Sequence, residues 1–367
     1  MLPDLESGGV ERGTLEVGAY LARHGHRSIV VSAGGRLVKQ LEKEGSRHIA
    51  LPVGAKSLSC LPSIFQIRKL LLREHPDILH LRSRLPAWVG YLAVKSMPAD
   101  QRPHVVTTFH GFYSVNRYSA IMTIGERIIA VSNIMSKHIQ THYQVPESRI
   151  RVIHRGIDKK LFNAEFVSTE RIEALKQKWG LSGSSGPVIL MPGRMTGLKG
   201  HEVFINSLSR IRHLPWQAVC VGDIENRAAF QKSLQRLIVH LGIEGRVHFV
   251  GYCTDMPAAF MASDISVSAS SSEPEAFGRV VVEAQAMGKP VVATAHGGSL
   301  EAVLSGQTGW LVSPGNPEAM ALALEEAITN PSKRRLFGEN SRRWVREQFS
   351  TQEMCEKTIQ LYNSLLK

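Results

Sequence analysis

Residues 265–284 read ISVSASSSEPEAFGRVVVEA, and this stretch is the strongest indication of the fold class. Ile265–Ser268 is a short β-branched run typical of a buried strand, and the apolar run that starts at Val280 is typical of a helix. Between them, Gly278 marks the turn from which the helix starts. A strand that leads through such a turn into a helix is the repeating unit of an α/β protein with a parallel sheet.

The same stretch carries two carboxylates, Glu275 and Glu283, one on each side of the turn. The unpaired N–H groups and the dipole at the start of a helix favour phosphate, and Gly278 would let the backbone approach it closely. If the backbone between the glutamates were wholly helical, they would be separated by ~12 Å, about the reach of a nucleoside diphosphate sugar. One carboxylate would then accept from sugar hydroxyls and the other from ribose hydroxyls. The alternative is an acidic loop before an ordinary helix.

A second motif, PGRMTGLKGH at residues 192–201, follows the predicted strand 188–191. Ligands of open α/β sheets bind at the carboxyl ends of the strands, where this motif lies. Arg194 can bind a phosphate through two parallel hydrogen bonds, and Lys199 contributes a compact positive charge. Together they would bind a diphosphate and stabilise its negative charge as it leaves. The alternative is a surface loop with two solvated cations. Because no Asp-x-Asp pair occurs in the sequence, we expect no metal ion.

Short strands alternate with amphipathic helices through the rest of the chain, which predicts two successive parallel sheets. The first series of predicted strands covers residues 28–32, 77–81, 104–109, 127–131 and 151–154, and the second covers 188–191, 218–221, 247–250, 265–268 and 291–294. Predicted helices include residues 10–24, 62–73, 86–95 and 169–179, and Ser132 is the predicted N-cap of another. We therefore expect domains at 1–160 and 161–349, with the last helix, within 350–367, packing back on the first.

The first domain has two further candidate features. The glycine-bearing segment 8–14 (GGVERGT) lies so close to the first residue that no strand fits before it, so we expect that strand to be missing and the true start to lie upstream. His110 follows the strand 104–109 and would hydrogen-bond a sugar there, unless it is a structural histidine. Neither G-x-G-x-x-G nor G-x-x-x-x-G-K-[ST] occurs, which argues against a dehydrogenase and a P-loop protein.

Charge is distributed unevenly along the 367 residues. Residues 1–160 hold 23 Lys and Arg against 12 Asp and Glu, whereas the remainder holds 21 against 20. A basic first half favours an anionic partner. Because no nucleic-acid recognition motif is present, an anionic membrane surface or a phosphorylated, lipid-linked acceptor fits better. The four cysteines form no C-x-x-C pair, so we expect reduced thiols, no zinc site and a cytoplasmic protein.

Taken together, these motifs resemble the retaining GT-B glycosyltransferases of family 4, and most closely the branch that builds lipopolysaccharide cores. Beside the two motifs above, the resemblance includes residues 8–12, 107–111, 130–132 and 154–158, and so extends over nearly the whole chain. It implies a GT-B fold, in which two Rossmann-like, doubly wound domains face a cleft. Arg155 stands where many members of the family have Asn.

The resemblance also implies roles for individual residues. Arg194 and Lys199, with the adjoining Gly193, would hold the donor diphosphate, while Glu275 would contact the donor sugar and Glu283 the ribose. The backbone N–H groups of Phe277 and Gly278 would contact phosphate or sugar. Gly251 and Tyr252 would lie near the base. His110 would line the acceptor side, and Gly9 would approach the phosphates when the cleft closes.

The implied activity is retaining, metal-independent transfer of a hexose from a nucleoside diphosphate sugar, with a UDP-sugar favoured and no other cofactor. The leaving diphosphate would help to deprotonate the acceptor, so no protein nucleophile is needed. The acceptor would be a lipid-linked or cell-envelope glycan such as the lipopolysaccharide core, reached by a peripheral protein at the inner face of the membrane. The alternatives are another GT-B enzyme, such as a nucleotide-sugar epimerase or a phosphorylase, and a non-catalytic GT-B binding protein.

Overall fold

A computed structural model of the chain describes residues 1–6, 8–55, 61–181, 183, 186–222 and 228–367. Cys60 and three serines within residues 182–185 lie outside these residues. The chain divides into two compact units, the first made of Met1–Gly156 with Thr351–Lys367 and the second of Ile157–Ser350. Each unit is an α/β layer structure with parallel strands, that is, a Rossmann-like domain.

Six short parallel strands and five helices make up residues 1–156 as far as the structure describes them. The strands are β1 (Ile29–Ser32), β2 (Arg47–Ala50), β3 (Ile78–Leu81), β4 (His104–Phe109), β5 (Arg127–Ala130) and β6 (Ile150–Val152). The helices are α1 (Gly9–Arg23), α2 (Val38–Lys43), α3 (Leu61–Glu74), α4 (Arg84–Lys95) and α5 (Asn133–Tyr143). β1 pairs with β2, and β3 to β6 form a sheet in chain order. Ser132 caps α5, as predicted, by accepting from the Met135 N–H.

Residues 1–3 occupy the place between β1 and β3. The Leu2 N–H donates to the Val31 carbonyl at 3.2 Å, and the main-chain nitrogen of Met1 donates to the His80 carbonyl at 2.8 Å. Among the described residues before α1 none belongs to a regular strand. Residues 1–3 nevertheless pair on both sides, with β1 and with β3.

In the second unit the described strands form a single parallel sheet. These strands are β7 (Val188–Pro192), β8 (Gln217–Val221), β9 (Val247–Phe249), β10 (Ile265–Ser268), β11 (Val291–Thr294) and β12 (Gly309–Val312), in the order β12-β11-β10-β7-β8-β9. The helices are α6 (Thr169–Lys178), α7 (His201–Arg210), α8 (Ala228–His240), α9 (Met256–Met261), α10 (Arg279–Ala286), α11 (Ser299–Ala302), α12 (Pro317–Thr329) and α13 (Pro331–Gln348). The order reverses between β7 and β10, which makes this a doubly wound sheet.

Apolar side chains from strands and helices form the core of each unit. In the second unit β10 and β11 are buried along their whole length because helices cover both faces of the sheet. Phe204 of α7 and Leu324 of α12 are fully buried within this core. None of the described helices is both long and apolar enough to span a membrane.

The C-terminal helix α14 (Thr351–Asn363) belongs to the first unit and packs against α1. Met354 and Cys355 are buried in an apolar cluster with Val17 of α1. The Tyr362 hydroxyl lies 2.6 Å from Nδ1 of His80 on β3, so a polar contact fixes the helix as well as apolar burial. Burial raises the pKa of the Cys355 thiol to about 12, which keeps it protonated and unreactive.

Most predicted strands agree with the structure to within one residue at each end, and β4, β10 and β11 agree at both ends. Two strands were not predicted. β2 reads RHIA and is largely exposed, so it lacks the apolar run of a buried strand. β12 reads GWLV, and its glycine resembles a turn signal rather than the start of a strand.

Candidate functional site

The two motifs of the second unit meet at the point where its strand order reverses. β7 pairs directly with β10, so the segments that follow these strands leave the sheet side by side. The first segment carries Lys199 and the second carries Glu275. Doubly wound sheets bind ligands in the crevice at the carboxyl ends of the strands, at the point where the strand order reverses.

Lys199 and Glu275 form an ion pair through the ammonium group and Oε1. Ser270 donates a second hydrogen bond to the same oxygen at 2.9 Å. Burial raises the pKa of Glu275, but Lys199, Ser270 and the charge of Arg194 together outweigh it, so the pKa lies below its ordinary value. The carboxylate is therefore ionised at neutral pH and acts as a hydrogen-bond acceptor rather than as an acid.

A tight turn brings Lys199 to this position. Gly200 follows it with φ 74°, and a Cβ at Gly200 would lie 1.9 Å from the Ala269 carbonyl oxygen. Only glycine fits both the left-handed backbone and this approach to the end of β10. On the other side of Glu275, its carbonyl accepts from the Gly298 N–H at 2.7 Å, which ties the loop before α10 to the segment that follows β11.

Gly193 and Gly251, at the ends of β7 and β9, are linked through the backbone of the strand between them. The Gly193 N–H donates to the Val221 carbonyl at 2.8 Å, and the Gly222 N–H donates to the Gly251 carbonyl at 2.9 Å. Tyr252, the next residue, is 45% exposed. The structure thus places the residues predicted for diphosphate and base along one edge of the sheet.

Glu283 has a different partner from Glu275. The helix begins only at Arg279, so the backbone between the two glutamates is not wholly helical. Gly278 caps this helix with φ 82°, and the Phe277 side chain is buried against Phe349. The buried Glu283 carboxylate accepts from Arg279 one helical turn earlier, at 3.0 Å. This intrahelical ion pair accounts for a buried carboxylate in an apolar run.

The first unit holds the remaining two predicted residues. Gly9 is the first residue of α1, so this helix begins one residue before its predicted start at residue 10. His110 follows β4 and accepts a hydrogen bond at Nδ1 from Arg155. Burial, then the charges of Arg155 and Arg82, hold the pKa of His110 well below its ordinary value, so the imidazole is neutral.

Sequence reasoning missed Ser270, Arg279 and the role of Gly298. Ser270 lies within residues 265–284, five residues before Glu275, but is uncharged. Gly298 lies outside both motifs, and the packing of adjacent strand ends brings it to Glu275. Arg279 could have been found from sequence, because it lies four residues before Glu283 on the same helix.

Two Rossmann-like units with cations, a carboxylate and a helix start at a strand-order reversal define the GT-B class of glycosyltransferase. Family comparisons agree with this class. Residues 172–344 match the glycosyl transferases group 1 family, and residues 7–161 match glycosyltransferase family 4. A glycosyltransferase from Rickettsia africae is 37% identical over 100% of this chain and 97% of its own, with a TM-score of 0.90. The chain belongs to the group 1, family 4 glycosyltransferases.

Two further relatives are more distant. The capsular polysaccharide biosynthesis glycosyltransferase CapM of Staphylococcus aureus is 25% identical over 366 residues, covering 97% of this chain and 94% of its own. The structure of HepE from Anabaena in complex with UDP-glucose is 24% identical, with a TM-score of 0.85 and coverage of 99% of this chain and 98% of its own. At this identity the likeness to HepE shows the fold alone.

Proposed function

We propose that the protein transfers a hexose, with retention of anomeric configuration and without a metal ion, from a UDP-sugar to a lipid-linked or cell-envelope glycan. The observation that carries the proposal is the Lys199–Glu275 pair at the strand-order reversal of the second unit. The Lys199 ammonium group, paired with Glu275, would also stabilise the negative charge of the departing diphosphate. The guanidinium group of the exposed Arg194 would bind the same diphosphate through two parallel hydrogen bonds. The complex of HepE with UDP-glucose supports a UDP-sugar as donor.

The family membership supports roles for the remaining residues predicted to contact the donor. The ionised Glu275 would accept from the donor sugar near the reacting carbon, and Glu283 would accept from the ribose. The backbone of Phe277 and Gly278 would contact phosphate or sugar. Gly251 and Tyr252 would lie against the base, and Gly9 would approach the phosphates only during transfer. With retention, the leaving diphosphate would take part in removing the acceptor proton.

The acceptor class rests on charge and on one relative. CapM makes a capsular polysaccharide, by its name, which supports a cell-envelope glycan; the lipopolysaccharide core is the narrower proposal that the motifs favour. The basic residues 1–160 would hold the protein reversibly at the inner face of an anionic membrane. We expect co-sedimentation with phosphatidylglycerol vesicles that weakens with added salt; binding that is absent or insensitive to salt would contradict this placement.

The donor is tested by ligand-observed NMR of the protein with UDP-, GDP- and ADP-sugars. We expect binding of a UDP-sugar, in the presence of EDTA, that is lost in Lys199→Ala. The matched control is Lys232→Ala, which removes an exposed lysine on α8 of the same unit. Absence of binding to every donor, or equal binding by Lys199→Ala, would contradict the proposal. The anomeric proton coupling of the product then tests retention.

A further inference from the structure

One face of helix α4 combines aromatic, apolar and basic side chains. The opposite face of α4 is buried in the first unit. The side chains turned away from it recur at the spacing of helical turns, and they are Trp88, Tyr91, Leu92 and Lys95. Leu92 is 42% exposed, and the Lys95 ammonium nitrogen lies 5.5 Å from the centre of the Tyr91 ring. The outward side of α4 therefore presents apolar surface that ends in a cation.

Two hydrogen bonds connect this side of α4 to further exposed side chains. The Trp88 indole N–H donates to the Tyr118 carbonyl at 3.0 Å, and Tyr118 is 44% exposed. Arg68 of α3 donates through Nε to the carbonyl of Ser96, the residue after α4, at 3.2 Å. Phe65, about one helical turn before Arg68, is 75% exposed, more than any other large apolar side chain among the described residues.

These side chains form one surface, which we call the α3–α4 face and which contains Phe65, Arg68, Lys69, Trp88, Tyr91, Leu92, Lys95 and Tyr118. Its charge is positive. Residues 61–95 hold six Lys and Arg but only two acidic residues, Glu74 and Asp77. The Glu74 carboxylate already pairs with three arginines, Arg27, Arg47 and Arg73. The α3–α4 face thus combines exposed apolar groups with an excess of cations.

We propose that the α3–α4 face docks on the surface of an anionic lipid bilayer. Phe65 and Leu92 enter the acyl boundary, where they leave water, and the cations lie among the headgroup phosphates. Tryptophan and tyrosine side chains, with an apolar body and a polar tip, are suited to the boundary between these two layers. A second copy of the chain would bring the same cations together, so charge complementarity favours lipid over self-association.

This inference rests on the proposed function for its lipid-linked acceptor, and it goes further by naming the face and by adding an apolar contribution. A basic surface without apolar groups binds through charge alone. The α3–α4 face instead predicts two separable contributions to binding. The cations give one that salt screens, and Phe65 and Leu92 give one that salt does not screen.

The test is co-sedimentation with vesicles of phosphatidylglycerol and phosphatidylcholine, at low ionic strength and at about 0.3 M salt. We expect Phe65→Ser to raise the lipid concentration for half-binding about tenfold under both conditions. Lys69→Gln should raise it about fivefold at low ionic strength, with a smaller effect in salt. Both side chains are exposed, so neither variant disturbs the core. The matched controls, Leu322→Ser and Lys232→Gln, change exposed residues of the second unit and should bind as the unchanged protein does.

Tryptophan fluorescence locates the contact independently. Trp88 is the only tryptophan in residues 1–156 and 351–367, and the other four tryptophans of the sequence lie in the second unit. We expect brominated phosphatidylcholine in the same vesicles to quench part of the fluorescence, and we expect Trp88→Phe to remove that quenching. Quenching that persists in Trp88→Phe would place the bilayer against the second unit and overturn the proposal.

The remaining outcomes separate the face from the proposed function. Vesicle binding that Phe65→Ser and Lys69→Gln both retain in full would overturn the α3–α4 face but not the membrane placement. If Phe65→Ser instead dissociated a dimer and left vesicle binding unchanged, the face would bind a second copy and the proposal would be wrong. Absence of vesicle binding by the unchanged protein would overturn both the face and the membrane placement. Failure of the transferase proposal would show separately, as absence of UDP-sugar binding with vesicle binding intact.

Discussion

Each of the two units places cations just beyond the carboxyl ends of parallel strands, but the side chains beside these cations differ. In the second unit Lys199 pairs with Glu275, and Ser270 completes the contacts of the carboxylate oxygen. In the first unit Arg82 and Arg155 approach the same point of α1, beside histidines that are neutral.

This difference in partners bears on what each cation can do. In the second unit each charge of the ion pair has a partner in the absence of ligand, and we expect Lys199 to stabilise a diphosphate as negative charge develops on it. In the first unit Arg155 instead donates to the neutral His110, a contact that does not involve a second charge. We therefore expect removal of a charge to affect transfer most at the Lys199–Glu275 pair.

The largest expected effect comes from removing the cation of the second unit. Lys199→Ala takes away a charge that stabilises the leaving group and leaves the Glu275 carboxylate without its partner. We expect release of UDP from a UDP-sugar to slow by roughly 10³-fold, with an unchanged far-UV circular dichroism spectrum. Lys232→Ala is the control. If Lys199→Ala released UDP at a rate within about threefold of that of the unchanged protein, Lys199 would not stabilise the leaving group.

Gly200→Ala and Gly13→Ala test how much room each site leaves for a Cβ atom. The Cβ of Gly200→Ala would clash with the backbone oxygen of Ala269, and we expect a loss of about 3 kcal/mol in the free energy of unfolding. The Cβ of Gly13→Ala would meet the end of a flexible arginine inside a helix, where alanine is otherwise favoured, so the change should stay within about 1 kcal/mol. Gly197→Ala, with open space around it, is the control, and urea denaturation measures all three.

Replacing Glu275 by glutamine leaves Lys199 beside a neutral side chain, as Arg155 lies beside the neutral His110 in the first unit. Glu275→Gln retains the shape and an acceptor for Ser270 but removes the charge, and we expect roughly 10²-fold slower UDP release. Glu273→Gln, in an exposed part of the same loop, should have no effect. Equal rates for the two variants would show that Glu275 need not be charged.

The same carboxylate predicts a dependence of stability on pH. Because the folded-state pKa of Glu275 lies below the ordinary 4.5, its ionised form stabilises the fold above that value. The contribution is lost as the pH falls through the lowered folded-state pKa. The difference in unfolding free energy between the unchanged protein and Glu275→Gln should therefore be larger at pH 7 than at low pH, and urea denaturation at both pH values checks this.

The smallest expected effect is that of Ser270→Ala. It removes one of the two partners of the Glu275 oxygen while Lys199 remains, and we expect about a tenfold loss in the rate of UDP release. Ser272→Ala, an exposed neighbour, controls for the change of residue type. A loss as large as that of Lys199→Ala would mean that Ser270 contributes as much as the cation.

Local patterns in the sequence were sufficient for most of the fold. β10 and β11 are continuous β-branched runs buried on both faces, and Ser132 begins a helix because its side chain satisfies a free N–H group. β2 and the paired segment at residues 1–3 were not predicted because each is held by its neighbours rather than by its own apolar pattern.

Local sequence was enough to predict that Lys199, Glu275 and His110 lie at strand ends, because each follows its strand closely along the chain. Which of these residues contact one another depends on the folded chain. The pairing of β7 with β10 brings Lys199 to Glu275, whereas Glu283 lies within α10 and pairs with Arg279. Arg82 and Arg155 lie 73 residues apart, and no local pattern predicts that both reach Gly13. Such contacts depend on strand order and on the space between backbones, which are properties of the folded chain.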